Sequence, residues 1–413
     1  MSPIRRPALA AALAGGLALA ALAGCGGGSG FDSTASSSGA IKVLIGSSGD
    51  AETAAVKKAV AAWSKQTGKK ASVSVANDLA QQLSQGFASG KPPDLFYVST
   101  DQLAGYAGNG SLYAYGDKLS DTGDFYPNLV QAFTVDKKLY CAPKDFSTLQ
   151  LVINTEMWQK AGLTDADVPT TWDQLDAVAK KLAASSGAKA GLTFSPEYAR
   201  IGSFMAQAGG GMTNADQTEA TVDSSANVTA LDYVKKLLTD GAAAYSSTLG
   251  AGWGGEAFGK GLAAMTIEGN WLIGAMASDY PDVKYRVVAL PAGPKGPGTL
   301  AFTNCWGIAA KSGHKSDTVK LVDYLTTAQQ QIRFADEFGV IPSVKSAAEQ
   351  WQQQQPGYAP FIAGADYAQN TPSTQGSADV VSDFNSQLET LAKSDPKTIL
   401  ASVQKSLAAT MTQ

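Results

Sequence analysis

The sequence predicts an α/β fold with two domains, each built on a mainly parallel sheet. Residues 41–98 alternate strand-like and helix-like segments, the order that produces a parallel sheet. The chain has 413 residues, more than a single hydrophobic core usually holds. Hydrophobic residues make up 44% of it and charged residues 16%, which is enough apolar material for ordinary globular cores.

The individual elements are predicted from local spacing. Alternating β-branched residues indicate strands, apolar residues at helical spacing indicate helices, and Gly or Pro marks the turns. Strands are expected at residues 41–45, 72–75, 94–98, 149–153, 190–194, 263–267, 283–290 and 302–310. Helices are expected from Asp50 to Gly68, from Asn77 to Ala88, after Asn154, from Thr170, over residues 225–239, and over most of the chain from Ser316 onward.

The N-terminus predicts a lipoprotein signal peptide over residues 1–24. Arg5 and Arg6 precede an apolar stretch of Ala, Leu and Gly that is too short for a good membrane span. The stretch ends in Leu-Ala-Gly-Cys25, which resembles the bacterial lipobox, in which the Cys becomes lipidated. An ordinary signal peptide cleaved nearby is the alternative.

The Gly- and Ser-rich residues 25–40 predict a flexible tether. No later segment has the uninterrupted apolar length of a transmembrane helix. We therefore expect an extracytoplasmic protein that is anchored to the outer face of the cell membrane by lipid alone. The net charge of −4, without a long Lys/Arg run, argues against binding of nucleic acid.

Two further cysteines, Cys141 and Cys305, remain if Cys25 carries lipid. Leftover cysteines in an oxidising compartment often pair, and two buried free thiols are the alternative.

Catalytic signatures are scarce. His314 is the only histidine, so the sequence almost entirely lacks the residues for His-dependent triads and multi-His metal sites. The G-x-S-x-G, Walker and H-E-x-x-H motifs are absent from the sequence. A two-carboxylate glycosidase stays open, since 36 acidic residues are available, but no segment points to one. We predict a protein that is not an enzyme and that uses neither a cofactor nor a metal.

Four segments occur in a fixed order along the chain. The sharpest is residues 258–271, Phe-Gly-Lys-Gly-Leu-Ala-Ala-Met-Thr-Ile-Glu-Gly-Asn-Trp, which contains the pattern G-x-x-A-M-x-x-x-G-x-W. The others span residues 93–110, 138–154 and 338–342. Together they resemble the family 1 extracellular solute-binding proteins, the family of the maltose-binding protein, over essentially all of the chain after residue 40.

The resemblance implies a two-lobed periplasmic-binding-protein fold of type II-like architecture, with ligand between two α/β lobes that hinge strands join. Carried onto this sequence, lobe 1 spans residues 41–146 plus 308–340 and lobe 2 spans 149–300 plus 343–413, with the hinge near 145–148, 302–307 and 341–343. The first two crossing strands are neighbours in the family. That arrangement would bring Cys141 and Cys305 together and so supports a disulfide between them.

A sugar site needs flat aromatic surfaces for C–H faces and polar side chains for hydroxyls. Open α/β sheets place ligands beyond the carboxyl ends of their strands. From this rule and the resemblance, the expected ligand-binding residues are Ser48, Gly49, Asp50, Asp101, Lys144, Asp145, Trp253, Glu256, Glu268, Asn270, Trp271, Trp306 and Tyr358. The family's signature Trp faces the cleft, so Trp271 is expected to stack on the sugar. Val98 and Ser147 stand where the maltose-binding protein has a stacking Trp and a hinge Glu, which argues against maltose itself.

Structural roles are the alternatives for several of these residues. Helix capping is the alternative for Asp50, Asp101 and Asn270, a hinge salt bridge for Lys144 with Asp145, and surface packing for Trp253. The remaining tryptophans on predicted helices are expected in the core or in a structural role: Trp63, Trp158, Trp172 and Trp351.

The predicted function is capture of a mono- or oligosaccharide between the lobes and its delivery to the permease subunits of an ABC importer. We expect a monomer whose lobes close about the hinge when sugar binds. The alternatives are a receptor for a polyamine, peptide or other solute, an extracellular glycosidase, and an adhesin or sensor subunit without a transporter.

Overall fold

The computed structural model describes residues 39–47 and 49–411, which fold around a ten-stranded sheet. The predicted signal peptide, Cys25, nearly all of the tether and Ser48 lie outside the described residues. The strands are β1 (Ile41–Ile45), β2 (Ala71–Val75), β3 (Leu95–Ser99), β4 (Thr134–Val135), β5 (Lys138–Leu139), β6 (Ala142–Asn154), β7 (Ala190–Phe194), β8 (Ala243–Tyr245), β9 (Ala263–Gly269), β10 (Tyr285–Val288), β11 (Thr299–Ile308) and β12 (Ala368–Asn370).

The helices alternate with these strands in the first two thirds of the chain and dominate the last third. They are α1 (Asp50–Thr67), α2 (Leu79–Ala88), α3 (Thr100–Gly108), α4 (Pro127–Ala132), α5 (Thr155–Lys160), α6 (Trp172–Ser185), α7 (Tyr198–Gln207), α8 (Ser225–Thr239), α9 (Gly254–Gly259), α10 (Trp271–Asp279), α11 (Lys315–Leu325), α12 (Ala328–Phe338), α13 (Lys345–Gln354), α14 (Ala359–Ala363), α15 (Ser377–Leu388) and α16 (Pro396–Met411). None of these helices, within the described ranges, is long and apolar enough to cross a membrane.

The large sheet has the strand order β2-β1-β3-β11-β6-β9-β7-β8, with β10 added beside β6 and β12 beside β11. Strand β1 is parallel to β2 and β3, as predicted, and β7 is parallel to β8 and β9. Strands β11 and β6 run antiparallel to each other, and β11 is antiparallel to β3. The sheet is therefore parallel towards its two ends and antiparallel in its middle, where the long strands β6 and β11 lie.

Caps fix the ends of several helices. Gly68 ends α1 in the left-handed conformation, and the side chain of Asn154 caps α5, both as predicted. The expected cap of α2 was one residue off. Asp78, and not Asn77, accepts a hydrogen bond from the Gln81 backbone N–H, at 2.9 Å.

Three clusters of buried apolar side chains form the core. The first core cluster packs α1, α11 and α12 on β1 and β3 and includes Ile41, Trp63, Phe96, Trp306 and Phe334. The second packs α6, α7, α8, α15 and α16 on β6, β7 and β9 and includes Leu149, Leu192, Phe204, Leu231 and Phe384. The third lies near the middle of β6 and includes Phe146, Val152, Phe258, Leu272 and Trp351.

The first two clusters draw mainly on residues expected in lobe 1 and in lobe 2, respectively. Val344 and Ala347, expected in lobe 2, pack in the first core cluster. All three clusters belong to one compact unit, and the lobe boundaries stay a prediction. Trp63, Trp158, Trp172 and Trp351 are buried, as expected.

Strands β6 and β11 are bonded to each other where the chain crosses the middle of the sheet. Their register pairs Ala301 with Thr148 at one end and Trp306 with Ala142 at the other. Beside that second end, Cys141 and Cys305 form a disulfide with Cα atoms 5.6 Å apart. The neighbouring crossings expected from the resemblance are therefore present.

A third crossing is bonded to β6. Phe146 and Ile341 exchange backbone hydrogen bonds of 3.0 and 3.2 Å. The buried amide of Gln331 donates to the Lys144 carbonyl at 2.8 Å and accepts from the Ser343 N–H at 2.8 Å. All three predicted hinge segments thus lie side by side.

Candidate ligand-binding site

A cavity of about 580 Å³, called the inner cavity below, opens beside the middle of the sheet. Gly46 follows β1 and Ser99 ends β3, so the cavity lies at the carboxyl ends of parallel strands, where α/β sheets bind ligands. Its other polar lining residues are Glu52, Thr100, Asp101, Lys144, Asp145, Ser147, Thr303, Asn304, Thr371 and Asn385. Its aromatic and larger apolar lining residues are Tyr97, Tyr198, Trp271, Phe302, Val340, Pro372 and Val381.

Glu52, Lys144 and Asp145 form a buried ionic group in the cavity lining. Lys144 Nζ lies 3.0 Å from Glu52 Oε1 and also donates to Asp145 Oδ2. Their side chains are between 5% and 10% exposed. Tyr97 donates its hydroxyl to Glu52 Oε1 at 2.9 Å, and its ring centroid lies 4.6 Å from Lys144 Nζ. The salt bridge expected as the alternative role of Lys144 and Asp145 is present, and Glu52 joins it.

The side chains of Lys144 and Asp145 both point towards the inner cavity because of an irregularity in β6. Neighbouring strand residues normally point to opposite faces of a sheet. The register with β11 shifts at this point, so that Asn304 pairs with Asp145 while Cys305 pairs with Pro143. Lys144 is the extra residue of this bulge. Because of the bulge, both side chains reach the inner cavity.

Burial and the charges of this group shift the pKa values of Lys144, Asp145 and Tyr97. Burial alone would lower the pKa of Lys144, but the negative charges of Asp145 and Glu52 outweigh burial and raise it. Burial raises the pKa of Asp145, against the opposing effect of Lys144. Burial, and then the charge of Glu52, raises the pKa of Tyr97, so that the hydroxyl keeps its proton. The cavity therefore offers charged donors and acceptors of the kind that bind hydroxyl groups.

Trp271 and Phe302 form an aromatic corner in the lining of the same cavity. Their ring centroids lie 5.6 Å apart with an interplanar angle of 80°. Trp271 is the first residue of α10 and is half-buried. At Gly269, an added Cβ would lie 2.3 Å from the Trp271 ring, so only glycine accommodates this ring position.

A second ion pair lies behind the aromatic corner. Arg200 Nη2 donates to Glu268 Oε2 at 2.7 Å, and Trp271 Nε1 donates to the same oxygen at 2.9 Å. The Arg200 guanidinium lies 5.3 Å from the centroid of the Trp271 ring. Burial raises the pKa of Glu268, and the charge of Arg200 opposes that effect.

The structure brings four of the predicted site residues to the inner cavity: Asp101, Lys144, Asp145 and Trp271. Glu268 holds the Trp271 indole from behind, with its side chain fully buried. Gly49 and Asp50 are exposed at the start of α1, outside the described cavity lining.

The other predicted site residues lie elsewhere. Trp306 is fully buried, because the Tyr97 ring packs edge-on against it with centroids 4.9 Å apart. Tyr358 stacks on Trp351 in the third core cluster.

Three more expected site residues have structural partners instead of a place in the cavity. Trp253 packs on the third core cluster. Glu256 pairs with Lys260 and accepts from the Gly252 N–H. Asn270 precedes α10 without a side-chain capping bond and donates to the Gly339 carbonyl at 2.8 Å.

Several lining residues were not predicted. Tyr198 lines the cavity from α7, a helix that the sequence does not predict. Arg200 of the same helix does not line the cavity but binds Glu268 behind the aromatic corner. Asn385 on α15 accepts from the Tyr198 N–H at 2.7 Å and so fixes the start of α7. Glu52, in the first turn of α1, also lines the cavity without having been predicted to do so. No feature of the sequence predicts that Glu52 is buried beside Lys144.

Known proteins share this fold. The GacH receptor of Streptomyces glaucescens matches with a TM-score of 0.78 and 21% identity, covering 90% of this chain and 98% of that one. The cyclic alpha-maltosyl-1,6-maltose binding protein of Arthrobacter globiformis matches with a TM-score of 0.79 and 20% identity over the same shares. These matches confirm the predicted fold class.

Sequence comparison agrees with the fold. The galactooligosaccharide-binding protein of Bacillus subtilis (strain 168) is 24% identical over 363 residues, which are 84% of each chain. The family model for the bacterial extracellular solute-binding protein matches residues 58–361, nearly three quarters of the sequence. The chain therefore belongs to the bacterial extracellular solute-binding protein family.

Proposed function

We propose that the protein captures a carbohydrate in the inner cavity and delivers it to an ABC importer. One observation carries this proposal: the aromatic corner of Trp271 and Phe302 and the ionic group of Lys144 and Asp145 line the same cavity. Aromatic rings suit the C–H faces of a sugar, and charged hydrogen-bonding groups suit its hydroxyls. The sugars named for the related proteins above support the same class of ligand.

A neutral ligand fits the cavity better than a polyamine does. A polyamine would require carboxylates that are free to pair with its ammonium groups. Here two of the three carboxylates that line the cavity, those of Glu52 and Asp145, already share the Lys144 ammonium, which leaves Asp101 alone outside this group. A hydroxyl can accept from Lys144 or donate to a carboxylate without breaking this group, whereas a second cation would compete with Lys144.

The protein acts by binding alone in this proposal, without chemistry on the sugar. Residues 145–148, 302–307 and 341–343 would bend as two lobes close, and the closed form would be recognised by the permease. We further propose that Cys25 carries the lipid anchor, that residues 1–24 are removed, and that the protein is an extracytoplasmic monomer.

A thermal-shift screen of mono- and oligosaccharides tests the proposal. A sugar present at about 100 times its Kd stabilises the folded state by about 2.7 kcal/mol. We expect Trp271→Ala to abolish the shift. Trp253→Ala, which removes another half-buried tryptophan outside the described cavity lining, should retain it.

Two results would refute the proposed function. One is the absence of a shift with every sugar, and the other is turnover of an oligosaccharide by the purified protein. An unchanged shift in Trp271→Ala would remove the aromatic corner from the site.

A further inference from the structure

We infer that the ligand is an oligosaccharide, because the inner cavity continues into a second one that suits a further sugar ring. This inference rests on the proposed function. The second cavity, the outer cavity, measures about 470 Å³ and is lined by Asp101, Gln102, Tyr106, Asn109 and Gln375, with three glycines. The inner cavity alone lies within the range of about 300–1,000 Å³ that holds a small ligand.

The two cavities adjoin at one residue, Asp101 in the first turn of α3, which lines both of them. The segment from Thr371 to Gln375 also runs from one to the other, since Thr371 and Pro372 line the inner cavity and Gln375 lines the outer one. On this inference, a chain of linked rings extends from the inner cavity past Asp101 into the outer one.

The chemistry of the outer cavity suits a neutral, hydroxylated ring. Tyr106 is half-buried and is held edge-on by Phe87, with ring centroids 5.1 Å apart. Its phenol face offers an apolar surface for a sugar. Gln102 and Gln375 add amide donors and acceptors, and Asp101 is the single charged side chain among the lining residues described.

The inner cavity makes the stronger contacts, because the aromatic corner and the buried ionic group both lie there. A monosaccharide would occupy that part and leave the outer cavity empty. Additional rings would gain the contacts with Tyr106 and Gln375. Affinity should therefore increase with chain length until both cavities are filled.

Titration calorimetry on the full chain tests this inference. The probes are glucose, galactose and N-acetylglucosamine and their linear β-1,4- or α-1,4-linked oligomers of two to four rings. We expect at least tenfold tighter binding of an oligomer than of its own monosaccharide. Tyr106→Ala should weaken oligomer binding about three- to tenfold and leave monosaccharide binding unchanged.

Tyr113→Ala is the matched control, since Tyr113 is also half-buried but lines a different surface cavity. Gln375→Ala, at an exposed position, repeats the test without risk to the fold. Equal affinity for monomer and oligomer, or an equal loss for both in Tyr106→Ala, would overturn the inference and leave the proposed function standing. If none of these sugars binds, the proposed function and this inference both fail.

Discussion

Arg200 and Trp271 donate to the same carboxylate oxygen, Glu268 Oε2, at 2.7 and 2.9 Å. The carboxylate is fully buried, and the guanidinium also lies against the indole ring. This three-residue group fixes the indole in the plane and the rotamer in which it lines the inner cavity. The stability of the protein and the orientation of its main aromatic surface therefore depend on one ion pair.

Arg200→Gln should lower the free energy of unfolding by about 3 kcal/mol. The substitution leaves the Glu268 charge buried without its cation, which is the costly way to break a buried ion pair. Adding Glu268→Gln should restore much of that loss, because the buried charge is then gone. Denaturant unfolding of the two single variants and the double variant measures this coupling.

Arg286→Gln is the control for that cycle. Its partner, Asp165, is 93% exposed, and an exposed pair contributes at most about 1 kcal/mol. Equal destabilisation by Arg200→Gln and Arg286→Gln would show that the buried ion pair contributes no more to stability than the exposed one.

Gly269→Ala should weaken sugar binding more than tenfold, by roughly 1.5 kcal/mol or more. The new methyl group would lie 2.3 Å from the Trp271 ring, so the ring must leave its position. Gly274→Ala, in the following helix α10, has no neighbouring atom within 4 Å and should leave binding unchanged. Calorimetric titration of both variants measures the difference, and equal affinities would contradict the assigned ring position.

Sugar affinity should fall as the pH is lowered from about 7 towards the ordinary Asp pKa of about 3.9. Burial raises the pKa of Asp145, which faces Lys144, Glu52 and Tyr97, so it takes up a proton at a higher pH than an exposed Asp does. The protonated acid attracts Lys144 less and is a weaker acceptor for hydroxyls. Titrations at several pH values measure this loss.

Protonation of Asp145 has the opposite effect on the stability of the fold. Because the folded-state pKa of Asp145 lies above its unfolded value, the folded state binds the proton more readily, and this group favours folding as the pH falls through that window. Protonation of Asp145 should therefore lower the affinity without itself destabilising the fold. Asp145→Asn should flatten the pH dependence of binding, and an unchanged profile in that variant would assign the effect to another group.

Replacing both Cys141 and Cys305 by Ser should lower the free energy of unfolding by about 2–5 kcal/mol, since the bridge closes a loop of 164 residues. Sugar affinity should remain within about twofold of the unmodified protein, because both cysteines are buried in the first core cluster, outside the described cavity lining. Chemical unfolding and calorimetry on the same preparation check both statements. A stability equal to that of the unmodified protein would mean that the bridge contributes nothing.

Much of the fold follows from local sequence signals. Strand β7 and helix α8 occur at the predicted residues, because alternation, caps and glycine stops act over a few positions. The segment that ends in Trp271 also predicts strand β9. These features depend on residues that are close together in the chain. The place of the Trp271 indole in the cavity is instead expected from the family resemblance.

The rest of the site depends on contacts between distant segments. Arg200 lies on α7 and its partner Glu268 on β9, 68 residues away in the sequence. Glu52 and Lys144 meet across 92 residues of sequence. Trp306 is an aromatic residue on a crossing strand, as expected, yet Tyr97 covers it. Whether a tryptophan lines a cavity or fills a core is decided by such a neighbour, which its own segment does not specify.

Gln331 bonds to the backbone at Lys144 and at Ser343, and the Lys144 side chain belongs to the inner cavity. Lys144, which would contact a solute, thus lies on one predicted hinge strand. The Gln331 amide links its backbone to Ser343, which lies in another predicted hinge segment. Detection of the solute and bending of the protein would then use the same short stretch of backbone. No relay of side chains is needed to carry the signal from one to the other.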